Sequence, residues 1–166
     1  MKYKLPLFSL FAFVTVILLV NSCKKDNSGS IQTLFTGGQW ELASVQVFHF
    51  VGASQVSTDT LNTNCNTTQV FTFLANNTCT YTNFDCIPGT TATGHWTLQT
   101  NQVFVNCNMI VQDTTAAKKS QPFSTARIIN LGLNSMVLET GDLQMYYQPT
   151  QVRTITEYGF VREKSQ

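Results

Sequence analysis

The chain has 166 residues, of which only 11% are charged, and its formal net charge is +1. Without residues 1–22, which include Lys2 and Lys4, 8 of the 10 basic residues remain against 9 acidic ones, a net charge of −1. This balance implies no basic patch for a polyanion, so we expect no nucleic-acid partner, and the remaining length fits one domain with its own core.

The first 22 residues have the layout of an export signal. Lys2 and Lys4 precede an apolar run from Leu5 to Val20, which ends in small and polar residues. The run of about sixteen residues is shorter than the roughly twenty that a membrane-spanning helix needs. We therefore predict a signal peptide over residues 1–22 rather than a transmembrane anchor.

The end of this segment, Val20-Asn21-Ser22-Cys23, resembles the lipobox of bacterial lipoproteins. The resemblance implies cleavage before Cys23, lipidation of its thiol and acylation of the new amino terminus, for example with palmitate, which together give durable anchoring. Lys24 after the cysteine is similar to signals passed to the outer membrane. We expect a lipid-anchored outer-membrane protein facing the periplasm or the cell surface, with residues 23–35 as a flexible polar tether.

Beyond the tether, apolar residues alternate with threonine-rich polar positions, and turn residues divide the segments, as in an all-β domain. Eight strands are predicted. They cover approximately residues 40–51, 69–74, 78–84, 93–99, 102–107, 123–131, 135–140 and 154–162.

The connections between these strands alternate in length. Tight turns are predicted at residues 75–77, 100–101 and 132–134, and long loops at 52–68, 85–92, 108–122 and 141–153. In an up-and-down antiparallel barrel this alternation puts all tight turns at a closed end and all long loops at an open mouth. A β-sandwich is the rival architecture.

Several motifs resemble the lipocalin-like domains of bacterial lipoproteins: Gly38-Gln39-Trp40, Phe71-Thr72-Phe73, Gly94-His95-Trp96 and a late Arg162. The resemblance covers most of the predicted domain, residues 36–166. It implies an eight-stranded barrel in which Arg162 packs across Trp40 at the closed end as a cation–π pair. Since the tether enters at that end, we expect the mouth to face away from the membrane.

Four cysteines besides Cys23 lie in an exported, oxidising setting, where disulfides form. Cys65 and Cys86 flank two neighbouring strands at the mouth, and we predict that they are bonded. A bond between Cys79 and Cys107 would cross an intervening strand, about 10 Å against the roughly 7 Å that a disulfide spans. It would require a different strand register; the alternative is that both are unpaired.

We expect no enzyme, no metal and no cofactor. The cysteines lack zinc-ligand spacing, and the two histidines, His49 and His95, lie on separate predicted strands without a nucleophile context. No catalytic residue is therefore assigned.

Two functions remain open. The first is binding of a small, mostly apolar ligand inside the barrel; the candidate contacts are Phe71, Phe73, Tyr81, Trp96 and Tyr158. The second is a filled barrel that presents its mouth loops to an unknown protein partner or to the cell exterior. Met145, Tyr146 and Tyr147 form an exposed apolar cluster in the last loop, or else a further strand.

Overall fold

The computed structural model describes residues 27–61, 63–101, 103–113 and 118–163. Helix α1 is Asn27–Thr36, and a short 3-10 helix is Phe84–Cys86. The strands are β1 Gln39–Val51, β2 Ser54–Leu61, β3 Val70–Phe73, β4 Thr78–Thr82, β5 Thr91–Leu98, β6 Phe104–Cys107, β7 Val111–Asp113, β8 Lys118–Ser120, β9 Ala126–Leu131, β10 Ser135–Gly141 and β11 Val152–Arg162.

Eight strands form a closed antiparallel barrel in the order β1, β3, β4, β5, β6, β9, β10 and β11, and β11 pairs back onto β1. Each corresponds to one of the eight predicted strands. The predicted all-β barrel is confirmed, and the fold is not the rival sandwich. The β3–β4, β5–β6 and β9–β10 connections lie at one end, and the longer connections lie at the mouth.

Two of the predicted long loops contain strands. In the first, β2 pairs with β1 from Val45 to Val51, whereas β3 occupies the same edge only from Gln39 to Glu41. Because β1 has 13 residues and β3 has 4, the second half of β1 extends beyond β3 and is free to pair with β2. All eight residues of β2 are exposed, so the strand lacks the alternation that predicts one. In the third loop, β7 and β8 form a separate hairpin.

The closed end is covered by helix α1. The side chain of Phe35 is fully buried, and its ring lies 4.8 Å from that of Phe73. The Trp40 indole N–H donates to the Phe35 carbonyl at 3.0 Å. The prediction of a flexible tether over residues 23–35 is wrong here. Ile31, Leu34 and Phe35 have the i, i+3, i+4 spacing of a helix, and Phe35 belongs to the core.

The arginine that ends β11 lies over the first tryptophan, as the lipocalin-like resemblance implies. Arg162 is paired with Trp40 in the β1–β11 register, and its Cζ lies 4.2 Å from the indole centroid. Its guanidinium also donates to the Leu34 carbonyl at 2.6 Å. One side chain thus links helix α1 to both strands that close the barrel.

Replacing Arg162 with methionine is expected to lower the free energy of unfolding by about 1–3 kcal/mol. The apolar stem is kept, but the cation–π contact is lost and the Leu34 carbonyl loses its donor. Urea unfolding followed by circular dichroism measures this loss. Arg162→Lys keeps the charge and should lose less; equal stability of all three proteins would contradict the prediction.

Cys79 and Cys107 form a disulfide. We expected this bond only with a strand register other than the one that the predicted bounds imply, and the structure has such a register. Strand β6 ends at Cys107, which pairs with Trp96, and Cys79 pairs with Gly94 only two positions away, so both cysteines lie at nearly the same height. Their Cα atoms are 7.4 Å apart.

Two carboxylates lie side by side on the outer face of the barrel. Glu157 on β11 is directly opposite Glu139 on β10, and Arg127 pairs with Glu139. Burial, followed by repulsion from Glu139, raises the pKa of Glu157. The folded state therefore holds this proton more tightly than the unfolded chain does, and stability falls as the pH rises through the Glu157 pKa.

Glu157→Gln is accordingly expected to raise the free energy of unfolding at pH 7 by a few tenths of a kcal/mol, the size of a like-charge pair across two strands. The gain should vanish below the ordinary pKa range of a carboxyl group, where Glu157 is protonated. Urea titrations at pH 7 and pH 3.5 test this, with exposed Glu163→Gln as the control. A stabilisation that is as large at the lower pH would refute it.

Candidate functional site

The barrel interior is packed with aromatic side chains. Four predicted ligand contacts, Phe71, Phe73, Tyr81 and Trp96, are at most 2% exposed. The Phe71 ring lies 4.1 Å from Phe73 and 5.2 Å from Tyr81. These residues contact one another, and the lower barrel is filled by side chains.

Two aromatic residues outside the predicted set complete this packing. Phe35 from helix α1 fills the closed end, 5.7 Å from the Trp96 ring. Phe123, just before β9, is buried with its ring 4.9 Å from Phe71 and 4.9 Å from Tyr158. Tyr158, the fifth predicted contact, is half-buried toward the mouth. The space left for a ligand is therefore at the mouth.

A solvent-open cleft of about 520 Å³ lies at the mouth, between the barrel wall and the β7–β8 hairpin. Its volume is in the range of small-molecule sites. Of the five predicted contacts, Tyr81 alone lines it. The lining residues are Tyr81, Phe84, Thr90, Thr91, Ala92, Ile110, Val111, Gln112 and Lys119.

The Tyr81 hydroxyl is the most unusual polar group of this cleft. The side chain is fully buried, and its oxygen has no hydrogen-bond partner among the described residues. Burial, followed by the neighbouring Tyr158 and Asp85, strongly raises the Tyr81 pKa. The hydroxyl thus keeps its proton and is a neutral donor. An unpaired buried donor costs about 1–3 kcal/mol, and an acceptor that reached it would supply the missing hydrogen bond.

The wall that holds Phe84 is a rigid, unusual turn. Asn83, Asp85 and Cys86 all have positive φ, with values of 57°, 54° and 61°. Such backbone is costly for non-glycine residues and persists where surrounding contacts impose it. The Cys65–Cys86 disulfide, which the sequence predicts, is one of these contacts.

Two buried or capping amides hold the same turn. The Gln69 side-chain oxygen accepts from the Asp85 backbone N–H at 3.0 Å, and its nitrogen lies 3.4 Å from the Cys65 sulfur. The Asn83 amide donates to the Thr68 carbonyl at 2.8 Å. Phe84 is therefore presented to the cleft by a preorganised segment.

Most residues that line the cleft are not among the predicted ligand contacts. Phe84 was assigned to the end of a strand, and Ile110, Val111 and Lys119 to a loop, whereas β7 and β8 bring them over the mouth. The available signal was Ile110-Val111, an apolar pair inside a polar connection.

No known family, curated protein or solved structure matches this chain. Within the described ranges, no helix is long and apolar enough to cross a membrane. The same part of the chain has no group of three His, Cys, Asp or Glu side chains that could hold a metal ion. The function is therefore argued from the cleft itself.

Proposed function

We propose that this chain is a membrane-anchored, lipocalin-like lipoprotein that binds a small, mostly apolar ligand in the cleft at the barrel mouth. The observation that carries the proposal is an open cleft of about 520 Å³ that Tyr81 lines, a buried side chain whose hydroxyl has no hydrogen-bond partner among the described residues. Apolar side chains form much of the remaining wall, and a few oriented polar groups over an apolar surface are typical of ligand sites.

The membrane anchor rests on the lipobox resemblance at Cys23, which lies outside the described residues. We place the protein at the outer membrane, facing the periplasm or the cell surface.

Native mass spectrometry of the protein purified from its own membrane tests both parts. The anchor predicts a mature chain that begins at Cys23 and carries acyl mass, and Cys23→Ser should release the protein from the membrane fraction. An unmodified chain that starts at residue 1 would contradict the anchor.

The ligand site is tested by blocking the cleft. Ala92 lines it, whereas the next residue, Thr93, points to the outer face and is exposed. Ala92→Trp should remove a copurified small-molecule mass, and Thr93→Trp should retain it, because only the first indole fills the cleft. Equal retention by both variants, or a wild-type protein without such a mass, would count against the proposal.

A second candidate function is an interaction module that acts through the mouth loops. Met145 and Tyr146 are 82% and 88% exposed in the β10–β11 loop. This loop is held in place because the guanidinium of Arg153 lies 3.7 Å from the Tyr147 ring and donates to the Gly52 carbonyl at 2.9 Å. Rigid, exposed aromatic and methionine side chains are typical of protein interfaces.

Cross-linking on intact cells distinguishes the two functions. If the loop binds a protein, replacing Met145 and Tyr146 with serine should abolish a specific cross-link that Ala92→Trp leaves unchanged. If the cleft is the functional site, the serine variant should keep its copurified ligand.

A further inference from the structure

The cleft combines an apolar wall with hydrogen-bond donors and a single cation. Phe84 and Ile110 provide apolar surface, and Tyr81 provides a buried donor. Lys119 is the one charged side chain among the described lining residues. The polarity of the site therefore favours an acceptor with negative charge over a cationic or donor-only ligand.

Two groups contribute to this selectivity in different ways. The Tyr81 hydroxyl is excluded from water and has no described partner, so an acceptor atom of a ligand would give it the hydrogen bond that it lacks. Lys119 is exposed at the rim, where its charge is screened by solvent and contributes less. Asp85, which interacts with Tyr81, does not line the cleft.

We infer that the ligand is a small amphiphilic anion, whose apolar body packs on Phe84 and Ile110 and whose acidic group accepts from Tyr81 and pairs with Lys119. This inference rests on the proposed function, since it names the ligand class of the same cleft. Tyr81 and Lys119 would select for the acidic group of the ligand. The apolar lining residues would contact its apolar body.

Two fluorescent probes with the same aromatic body test the inference on the full-length protein. 8-Anilinonaphthalene-1-sulfonate carries a sulfonate, and N-phenyl-1-naphthylamine is its neutral counterpart. We expect the anionic probe to bind about tenfold more tightly, as a hydrogen bond to a charged group implies. Tyr81→Phe should lower the affinity for the anionic probe about tenfold, and Lys119→Gln should lower it about threefold. Neither change should alter neutral-probe affinity by more than about twofold.

Matched variants control for indirect effects. Tyr146→Phe removes the hydroxyl of a tyrosine that is 88% exposed, and Lys164→Gln removes a lysine near the chain end. Both should bind the probes like the wild type. Tyr81→Phe should also fold normally, because it deletes an unpaired polar atom without changing the ring.

The outcomes distinguish the existence of the ligand site from the anionic character of its ligand. Equal affinity for both probes, unchanged in Tyr81→Phe and Lys119→Gln but lost in Ala92→Trp, overturns the anion inference and leaves the ligand site standing. Binding of neither probe contradicts the proposed function and this inference with it. Tighter anionic binding that depends on Tyr81 and Lys119 supports both.

Discussion

Phe71→Ala is expected to lower the free energy of unfolding by about 3–5 kcal/mol, the usual cost of truncating a buried aromatic side chain. Phe71 is fully buried and lies against four other aromatic rings: Phe73, Tyr81, Phe123 and Phe160. Its removal leaves a cavity that these neighbours cannot fill without leaving their own contacts. Guanidinium unfolding monitored by circular dichroism measures the loss.

The same variant distinguishes a packed core from a ligand pocket. A side chain whose role is to contact a ligand would change affinity but leave the stability of the empty protein nearly intact. Leu133→Ala, at a tight-turn position that is 73% exposed, serves as the control and should change stability by less than about 0.5 kcal/mol. If Phe71→Ala costs no more than this control, the interior is not the packed core that we describe.

Removing the Cys79–Cys107 disulfide by a double alanine substitution is expected to lower the free energy of unfolding by about 2–4 kcal/mol. The bond closes a loop with a sequence separation of 28 and ties β4 to β6 across β5. Without it the unfolded chain gains conformational freedom, which stabilises the unfolded state. Chemical denaturation measures the difference, and alkylation with mass analysis of the unfolded, unreduced wild type should detect no free thiol.

The second disulfide provides the comparison. Alanine at both Cys65 and Cys86 removes a bond with a sequence separation of 21 and should destabilise by a similar amount. Because this bond holds the turn that presents Phe84, we also expect weaker probe binding in the cleft. Loss of probe binding only in the Cys79–Cys107 variant would reverse the roles that we assign.

The strands, their order and the two ends of the barrel follow from local sequence pattern. The alternation around Phe71 and Phe73, and tight turns such as the one at residues 132–134, predict neighbours that pair directly along the chain. Cys65 and Cys86 flank two such neighbouring strands, and their pairing was predicted for that reason. Each of these features depends on residues close in sequence or on one hairpin.

Other features depend on how distant segments meet. Strand β2 forms on an edge that β1 exposes only because β3 is short, and Phe35 becomes part of the core only when helix α1 covers the closed end. Cys79 reaches Cys107 because their partners on β5, Gly94 and Trp96, are only two positions apart. None of these conditions is visible in a local pattern.

The candidate site shows the same division. The sequence alone determined that Tyr81 points into a barrel of eight strands, since inward and outward positions alternate along a strand. The filling of the barrel below Tyr81 and the cleft that the β7–β8 hairpin leaves above it depend on contacts between distant segments. The reason is physical: alternation assigns a side chain to a face, whereas the space beside it depends on the volumes of all the side chains that share that face.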